Sequence, residues 1–313
     1  MSKTFDFIDL FAGIGGLRIP FDEIGGRCVL TSEIDKHAVS TYAKNFDEQE
    51  IDIRGDVTKI DSKDIPRHSL LLGGFPCQPF SHAGHKKGFD DTRGTLFFDV
   101  QRIIEAKKPK VVLLENVRGL VSHDGGNTFK RVLEILGEHY VVHHALLNAR
   151  DFGLPQNRIR IFIVAIRKNV KGAADWVFPQ PTHDRNALRV GDVLEKRVPP
   201  KYTISERLWE SHQARKLRHE QNGNGFGFRL FSASSNYTST LSARYYKDGA
   251  EILIEQKHKT PRKITPREAA RLQGFPESFV INASDVQAYR QFGNAVPVSI
   301  VRAIAQSLKH LLN

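Results

Sequence analysis

The sequence predicts an α/β protein built on a mostly parallel sheet flanked by helices, followed by a smaller, more irregular second domain. Three observations carry that expectation. Short apolar runs alternate with amphipathic segments through the first half of the chain. A glycine-rich turn, Gly13 to Gly16, joins the first apolar run to the first helical segment. From about Phe178 the alternation gives way to proline-rich, charged and Gly/Asn/Ser-rich stretches.

The elements follow in order. Phe5 to Leu10, Arg27 to Ser32, Leu70 to Gly73, Val111 to Glu115 and Arg160 to Ile166 read as strands, being short, apolar and bounded by turn residues. Leu96, Val100, Ile103 and Ile104 recur at helical spacing after Thr95, as do Phe129, Val132, Leu133 and Leu136 before Gly137; these are crossover helices with core-facing stripes. Glu206 to Glu220 reads as a solvated helix. Thr265 can cap a helix with Pro266 first and Glu268 third, ending near Gly274, and Ile300 to Leu312 forms a last amphipathic helix that packs on the first domain. The expected division is residues 1–180, 181–285 and a returning segment 286–313.

Composition narrows the function. The 313 residues carry 46 Lys and Arg against 35 Asp and Glu, a formal net charge of +11, which favours a polyanionic partner such as nucleic acid. Cys28 and Cys77 are the two cysteines, so no disulfide framework and no zinc-type cluster is expected, and a reducing cytoplasm fits. The chain starts without a leader-like pattern, and no stretch approaches the ~18 apolar residues of a membrane span. Neither secretion, a membrane nor a metal is therefore expected.

Asp9 to Gly16 follows the first strand, and its glycines let backbone N–H groups approach a ligand closely. Arg18 stands where a dinucleotide fingerprint needs its last glycine, which disfavours a nicotinamide cofactor. Glu33 and Asp56 fall where the next two strands should end; one carboxylate there suits ribose hydroxyls and the other an adenine amino group, so adenosine is implied. Cys77 lies between Pro76 and Pro79 at the end of a buried strand, at the sheet edge where ligands bind in such folds. Glu115 closes the Val-Val-Leu-Leu run and should reach the same edge in a partly apolar setting that favours a protonated general acid.

Asp9 to Gly16, Phe75-Pro-Cys-Gln78, Glu115-Asn-Val117, Gln156-Asn-Arg-Ile-Arg160 and Gln291-Phe-Gly-Asn-Ala-Val-Pro297 together resemble the ordered motifs of bacterial cytosine-C5 DNA methyltransferases, over nearly the whole chain. The resemblance implies a Rossmann-like methyltransferase sheet with a target-recognition domain. It implies S-adenosyl-L-methionine as methyl donor, leaving S-adenosyl-L-homocysteine, with Phe11, Gly13, Gly15, Glu33, Ile34, Asp56, Val57, Pro76 and Asn294 lining its pocket. It further implies that the Cys77 thiolate adds to C6 of the cytosine while Glu115 protonates N3, with Arg158 and Arg160 near the base and Arg160 the better candidate to hold it. Two departures stand out: Ile159 replaces the glutamate frequent between those arginines, and Ile34 replaces a tryptophan, so an aliphatic side chain covers the adenine.

The target carbon lies inside the duplex stack, so the base has to be flipped out at a cost of roughly a few kcal/mol. Residues 78–94 are polar and glycine-punctuated and read as a loop that closes over it, with Ser81, Lys86, Lys87 and Arg93 reaching DNA. Asn222 to Phe228 and Thr240 to Gly249 supply Asn224, Thr240, Arg244 and Tyr245 for base edges and phosphates. These two segments resemble the recognition region of Dcm-type methylases, which points to a CCWGG- or CCNGG-like site. The expected setting is a bacterial or phage-encoded monomer acting on double-stranded DNA, alongside a cognate restriction endonuclease that reads the same site without a stable complex. An RNA-cytosine methyltransferase would share Cys77 and Glu115; a DNA-binding regulator would need neither; an adenine or N4-cytosine enzyme would carry a Pro-Pro-Tyr/Phe motif where Phe-Pro-Cys-Gln stands.

Overall fold

A computed structural model describes residues 5–46, 52–76, 96–223, 225 and 227–312. The chain divides into two compact units. One comprises the described residues up to Leu147, Ile159–Gln180 and those from Ile300 onward; the other comprises Asn148–Arg158 and Pro181–Ser299.

The first unit is organised by a seven-stranded sheet of β1 (Phe5–Leu10), β2 (Gly26–Ser32), β3 (Ile53–Arg54), β4 (Leu70–Gly73), β5 (Val111–Val117), β6 (Tyr140–Asn148) and β7 (Ile159–Arg167), in the order β3-β2-β1-β4-β5-β7-β6. β1 pairs in parallel with both β2 and β4, β2 with β3 and β4 with β5, whereas β5 and β7 are antiparallel. The order reverses at β1, with β2 on one side and β4 on the other. In open α/β sheets that switch point, at the carboxyl ends of the strands, is where ligands bind.

Parallel strands covered on both faces must be apolar throughout, and Leu70, Leu71, Leu72 and Val111 to Leu114 are all fully buried. Helices α1 (Arg18–Glu23), α2 (Lys36–Asn45), α3 (Leu96–Lys107) and α4 (Asn127–Gly137) follow the early strands. Val100, Ile103, Val132 and Leu136, the stripes expected from helical spacing, join Ile8, Leu71, Val112 and Ile163 in one core.

The second unit has little regular sheet. It holds α5 (Glu206–Gln221), three two-residue strands, β8 (Leu230–Phe231), β9 (Leu253–Ile254) and β10 (Arg262–Lys263), and helices α6 (Pro266–Leu272) and α7 (Asp285–Asn294). Thr265 accepts from the Glu268 backbone while the Glu268 carboxylate accepts from the Thr265 N–H, the capping box expected from the sequence. Glu268 is fully buried and also takes two 2.8 Å hydrogen bonds from Arg262 and one from the Glu195 N–H. A buried ion pair is tolerated when its remaining lone pairs are satisfied in this way. A final helix, α8 (Val298–Leu312), begins in this unit and runs on into the first, where Arg302 forms a two-pronged ion pair with Glu23 at 2.7 Å.

β6 was not expected from the sequence. His143 and His144 interrupt it and most of its residues are only half-buried, so it lies at the sheet margin without a clean alternation. No helix among the described residues is long and apolar enough to cross a membrane, and no group of three or more His, Cys, Asp or Glu among them could hold a metal ion.

Candidate active site

The glycine turn leaves β1 at the switch point. Phe11 adopts a left-handed backbone, φ 56°, which is uncommon for a residue with a side chain, and Gly13 and Gly15 follow with φ 56° and 85°. A Cβ on Gly13 would meet nothing within 4 Å, so the loop faces open space there. At Gly15 a Cβ would fall 2.4 Å from the Phe46 ring, so this glycine is required by packing as well as by its φ.

Two acids flank this space. The Glu33 carboxylate accepts from the Gly13 N–H and the Asp35 N–H, both at 2.8 Å, fixing the side chain against the loop. β2 and β3 pair Ser32 with Arg54, which brings Glu33 level with Gly55 and Asp56. Asp56 caps the next turn by accepting from the Thr58 N–H and hydroxyl, and those hydrogen bonds hold its carboxyl below the usual range, so it stays an acceptor at neutral pH. Ile34 is 74% exposed, a large aliphatic surface beside the two carboxylates. Val57 differs from expectation: its side chain belongs to the core and its carbonyl accepts from Arg102, so the residue shapes the turn.

The second cluster forms where β4 and β5 end. Their register pairs Gly73 with Leu114, which places Gly74 beside Glu115: a Cβ on Gly74 would lie 3.5 Å from the Glu115 carboxylate. Asn116 donates to the Phe75 carbonyl at 2.8 Å and accepts from the Val117 N–H, so the backbone leading to Pro76 is tied to the Glu115-Asn116 pair. Cys77 itself lies outside the described residues, as do Ser81, Lys86, Lys87, Arg93 and Asn224.

Glu115 does not sit in a simply apolar setting. Antiparallel pairing sets Arg160 opposite Val117, two residues from Glu115 on the same face of β5, and its Nε lies 3.1 Å from the carboxylate. Burial of Arg160 pulls its guanidinium down from the usual range, an effect that Glu115 opposes. Glu115 and Arg160 thus form one nearly enclosed ion pair rather than an isolated acid.

Arg158 is a correction to the expected site. Only 1% exposed, it donates to the carbonyls of Leu241, Gly293 and Ala295 at 2.7–2.9 Å, all within the second unit. Such a guanidinium is spent on fastening backbone. Gln156 works alongside it, bridging the Leu272 carbonyl and the Leu241 N–H. Tyr245 is a second correction: 1% exposed, it donates to the Ile252 carbonyl, accepts from the Ile264 N–H and packs edge-on against Tyr289, so it belongs to the core and cannot meet DNA. Arg244 is exposed, Thr240 is half-buried with its hydroxyl on the Asn157 carbonyl, and Asn294 is exposed at the end of α7.

Asp9, the first residue of the glycine motif, has a character that the motif alone does not signal. It is fully buried in the central strand, and neither carboxylate oxygen has a hydrogen-bond partner among the described residues. Burial pushes its carboxyl up to about 8, with Arg18 opposing the rise and Asp22 and Glu33 adding to it. An unfolded Asp ionises near pH ~4, so between ~4 and ~8 the unfolded chain loses a proton that the folded chain keeps, and stability falls as pH rises through that window. Asp9→Asn should therefore melt several degrees above wild type at about pH 8 and close to it at about pH 5. A thermal melt series across pH checks this; an equal offset at both ends would contradict it.

Comparison with known proteins fits this geometry. The family description "C-5 cytosine-specific DNA methylase" matches residues 5–310. The chain is 58% identical over 314 aligned residues to the Type II methyltransferase M1.ScrFI of Lactococcus lactis subsp. cremoris, covering 99% of this chain and 79% of that relative. It is 41% identical to the DNA-cytosine methyltransferase of Escherichia coli K12, covering 98% and 78% respectively. Among solved structures, the S. pombe Dnmt2 methyltransferase superposes with a TM-score of 0.78 at 21% identity over 98% of this chain and 99% of that one, a likeness of fold.

Proposed function

Since the chain belongs to the C-5 cytosine-specific DNA methylase family and is a DNA-cytosine methyltransferase of restriction-modification type, we propose that it takes the methyl group from S-adenosyl-L-methionine and works through a covalent Cys77 adduct. The observation that carries the reading is the convergence of β4 and β5: the residues entering Cys77 are fastened beside a Glu115–Arg160 pair.

The first unit's residues suit the donor. The open space at Gly13, the two fixed acids and exposed Ile34 form a cradle for an adenosine, with Glu33 for the ribose hydroxyls, Asp56 for the adenine amino group and Ile34 against its face. The family motifs assign Phe11, Gly15, Pro76 and Asn294 to the donor as well. When bound, the donor supplies an electrophilic methyl on a sulfonium.

C5 of cytosine is a poor nucleophile until the ring is activated. The Cys77 thiolate adds to C6, Glu115 delivers a proton to N3, and Arg160 holds Glu115 in place and balances charge as it changes. C5 then takes the methyl group; loss of its proton reforms the double bond and expels Cys77. A free thiol has a pKa of about 8.5, so the site has to favour the thiolate for this to run at neutral pH.

The second unit carries target recognition in this reading, with Thr240 and Arg244 toward DNA; Ser81, Lys86, Lys87, Arg93 and Asn224 complete the proposed contacts. The proposed target is a CCWGG- or CCNGG-like duplex site, read by a cytoplasmic monomer alongside a cognate endonuclease that does not bind it stably. Incubating duplex DNA with labelled donor, identifying the nucleoside product and locating it by bisulfite sequencing tests both levels. The expected result is 5-methylcytosine at the inner cytosine of such sites; a methylated adenine, an N4-methylated cytosine or labelling of tRNA alone would overturn the reading.

A further inference from the structure

The turn following β6 and the segment before Thr240 meet within the second unit in a way that no site described so far accounts for. Asn148 caps the turn, accepting from the Arg150 N–H, and its amide donates to Asn157. Thr238 donates to the Pro155 carbonyl and accepts from the Asn157 N–H, while the Thr240 hydroxyl bonds the Asn157 carbonyl. Two segments about 85 residues apart are thus laced together, and on them the Arg150 guanidinium carbon lies over the Tyr237 ring, 3.7 Å from its centroid.

This pair has unused polar ends. Tyr237 is 40% exposed, and neither its hydroxyl nor the Arg150 Nη atoms hydrogen-bond to any described residue. Arg150 pairs with no carboxylate among the described residues, and the adjacent Asp151 is already held by both prongs of Arg185. Arg150 is half-buried, its Nε enclosed without a hydrogen-bond partner among the described residues, and an arginine stacked on an aromatic ring keeps its planar fork oriented at little further entropic cost. Such a fork matches a pair of acceptors in one plane: two oxygens of a phosphate, or O6 and N7 of a guanine.

We propose that the stacked Arg150–Tyr237 pair is a contact for duplex DNA, with the Arg150 fork donating to an acceptor pair on the nucleic acid and Tyr237 holding the fork in register. The proposal rests on the reading that the second unit carries target recognition.

The test measures binding of a fluorescein-labelled duplex carrying the site that the wild-type enzyme methylates, and of the same duplex with that site scrambled, across a salt series. Arg150→Ala is expected to weaken binding to the methylated site roughly 5- to 100-fold, leaving kcat at saturating DNA within about threefold. Tyr237→Ala should weaken it in the same direction, and the double variant should be little worse than the poorer single variant, because the two side chains act as one. If the acceptor is a phosphate, the salt slope falls by about one and Arg150→Lys restores much of the affinity. If it is a guanine, the slope holds, discrimination between the two duplexes shrinks and Arg150→Lys fails to restore it. Thermal melts separate these effects from misfolding; if Arg150→Ala melts early, Tyr237→Ala and Arg150→Lys carry the decision. Wild-type affinity, salt slope and discrimination in well-folded variants would overturn the proposal alone, whereas a wild-type enzyme that binds no duplex would overturn the parent reading with it.

Discussion

Cys77→Ser is expected to lower methyl transfer by at least about a thousandfold while leaving duplex affinity within a few-fold of wild type. The change removes one sulfur and little volume, so neither folding nor the surface that meets DNA should suffer. What is lost is a nucleophile: at neutral pH a thiol is a few per cent ionised before any help from its surroundings, whereas a serine hydroxyl is not ionised at all. Two anchors deliver the chain to this residue, the Asn116 hydrogen bond to the Phe75 carbonyl and the close approach of Gly74 to Glu115. The measurement is a single-turnover rate with labelled donor beside an equilibrium binding titration. Retained turnover would leave the covalent route without a nucleophile.

The second large effect concerns Glu115. Glu115→Gln should reduce the rate by about 10²- to 10⁴-fold, because the amide can accept a hydrogen bond from Arg160 but has no proton of the right acidity to give to N3. Gln is the informative substitution. Glu115→Ala would leave the largely buried Arg160 guanidinium without its 3.1 Å partner, and stranding a buried charge costs about 3–5 kcal/mol, mixing instability with lost chemistry. For Glu115→Gln the melting temperature should therefore move much less than the rate. A rate loss that tracks a large fall in melting temperature, or no rate loss at all, would remove Glu115 from the role of acid.

The parallel sheet was legible because its strands are buried on both faces and therefore read as uninterrupted apolar runs. β1 begins and ends where expected and β4 does too, while β5 and β7 extend one or two residues further. Glu115 within β5, and Glu33 and Asp56 just past β2 and β3, consequently lie at the carboxyl edge where the sequence put them. The capping box at Thr265 was equally readable, because its two hydrogen bonds lie within four residues.

What sequence could not reveal was commitment over distance. Arg158 and Tyr245 are residue types that contact DNA when exposed, but their partners lie elsewhere: Leu241, Gly293 and Ala295 are 83 to 137 residues from Arg158, and Ile264 is 19 from Tyr245. Nothing in a local window says that such a side chain is already occupied. The Glu115–Arg160 pair was hidden for the same reason, since it depends on the antiparallel register of β5 and β7. The strands of the second unit, two residues each, are too short to carry any periodicity.

The central claim is a covalent bond between Cys77 and the target cytosine, and its most direct test is a trap. A duplex carrying 5-fluorocytosine at the methylated position cannot complete the reaction, because fluorine does not leave as the C5 proton does. Incubated with S-adenosyl-L-methionine, the enzyme should form a denaturant-stable protein–DNA complex, and mass mapping of its peptides should place the DNA on Cys77. Methylation of the unmodified duplex with no stable adduct on the fluorinated one, or an adduct on a different residue, would contradict the account.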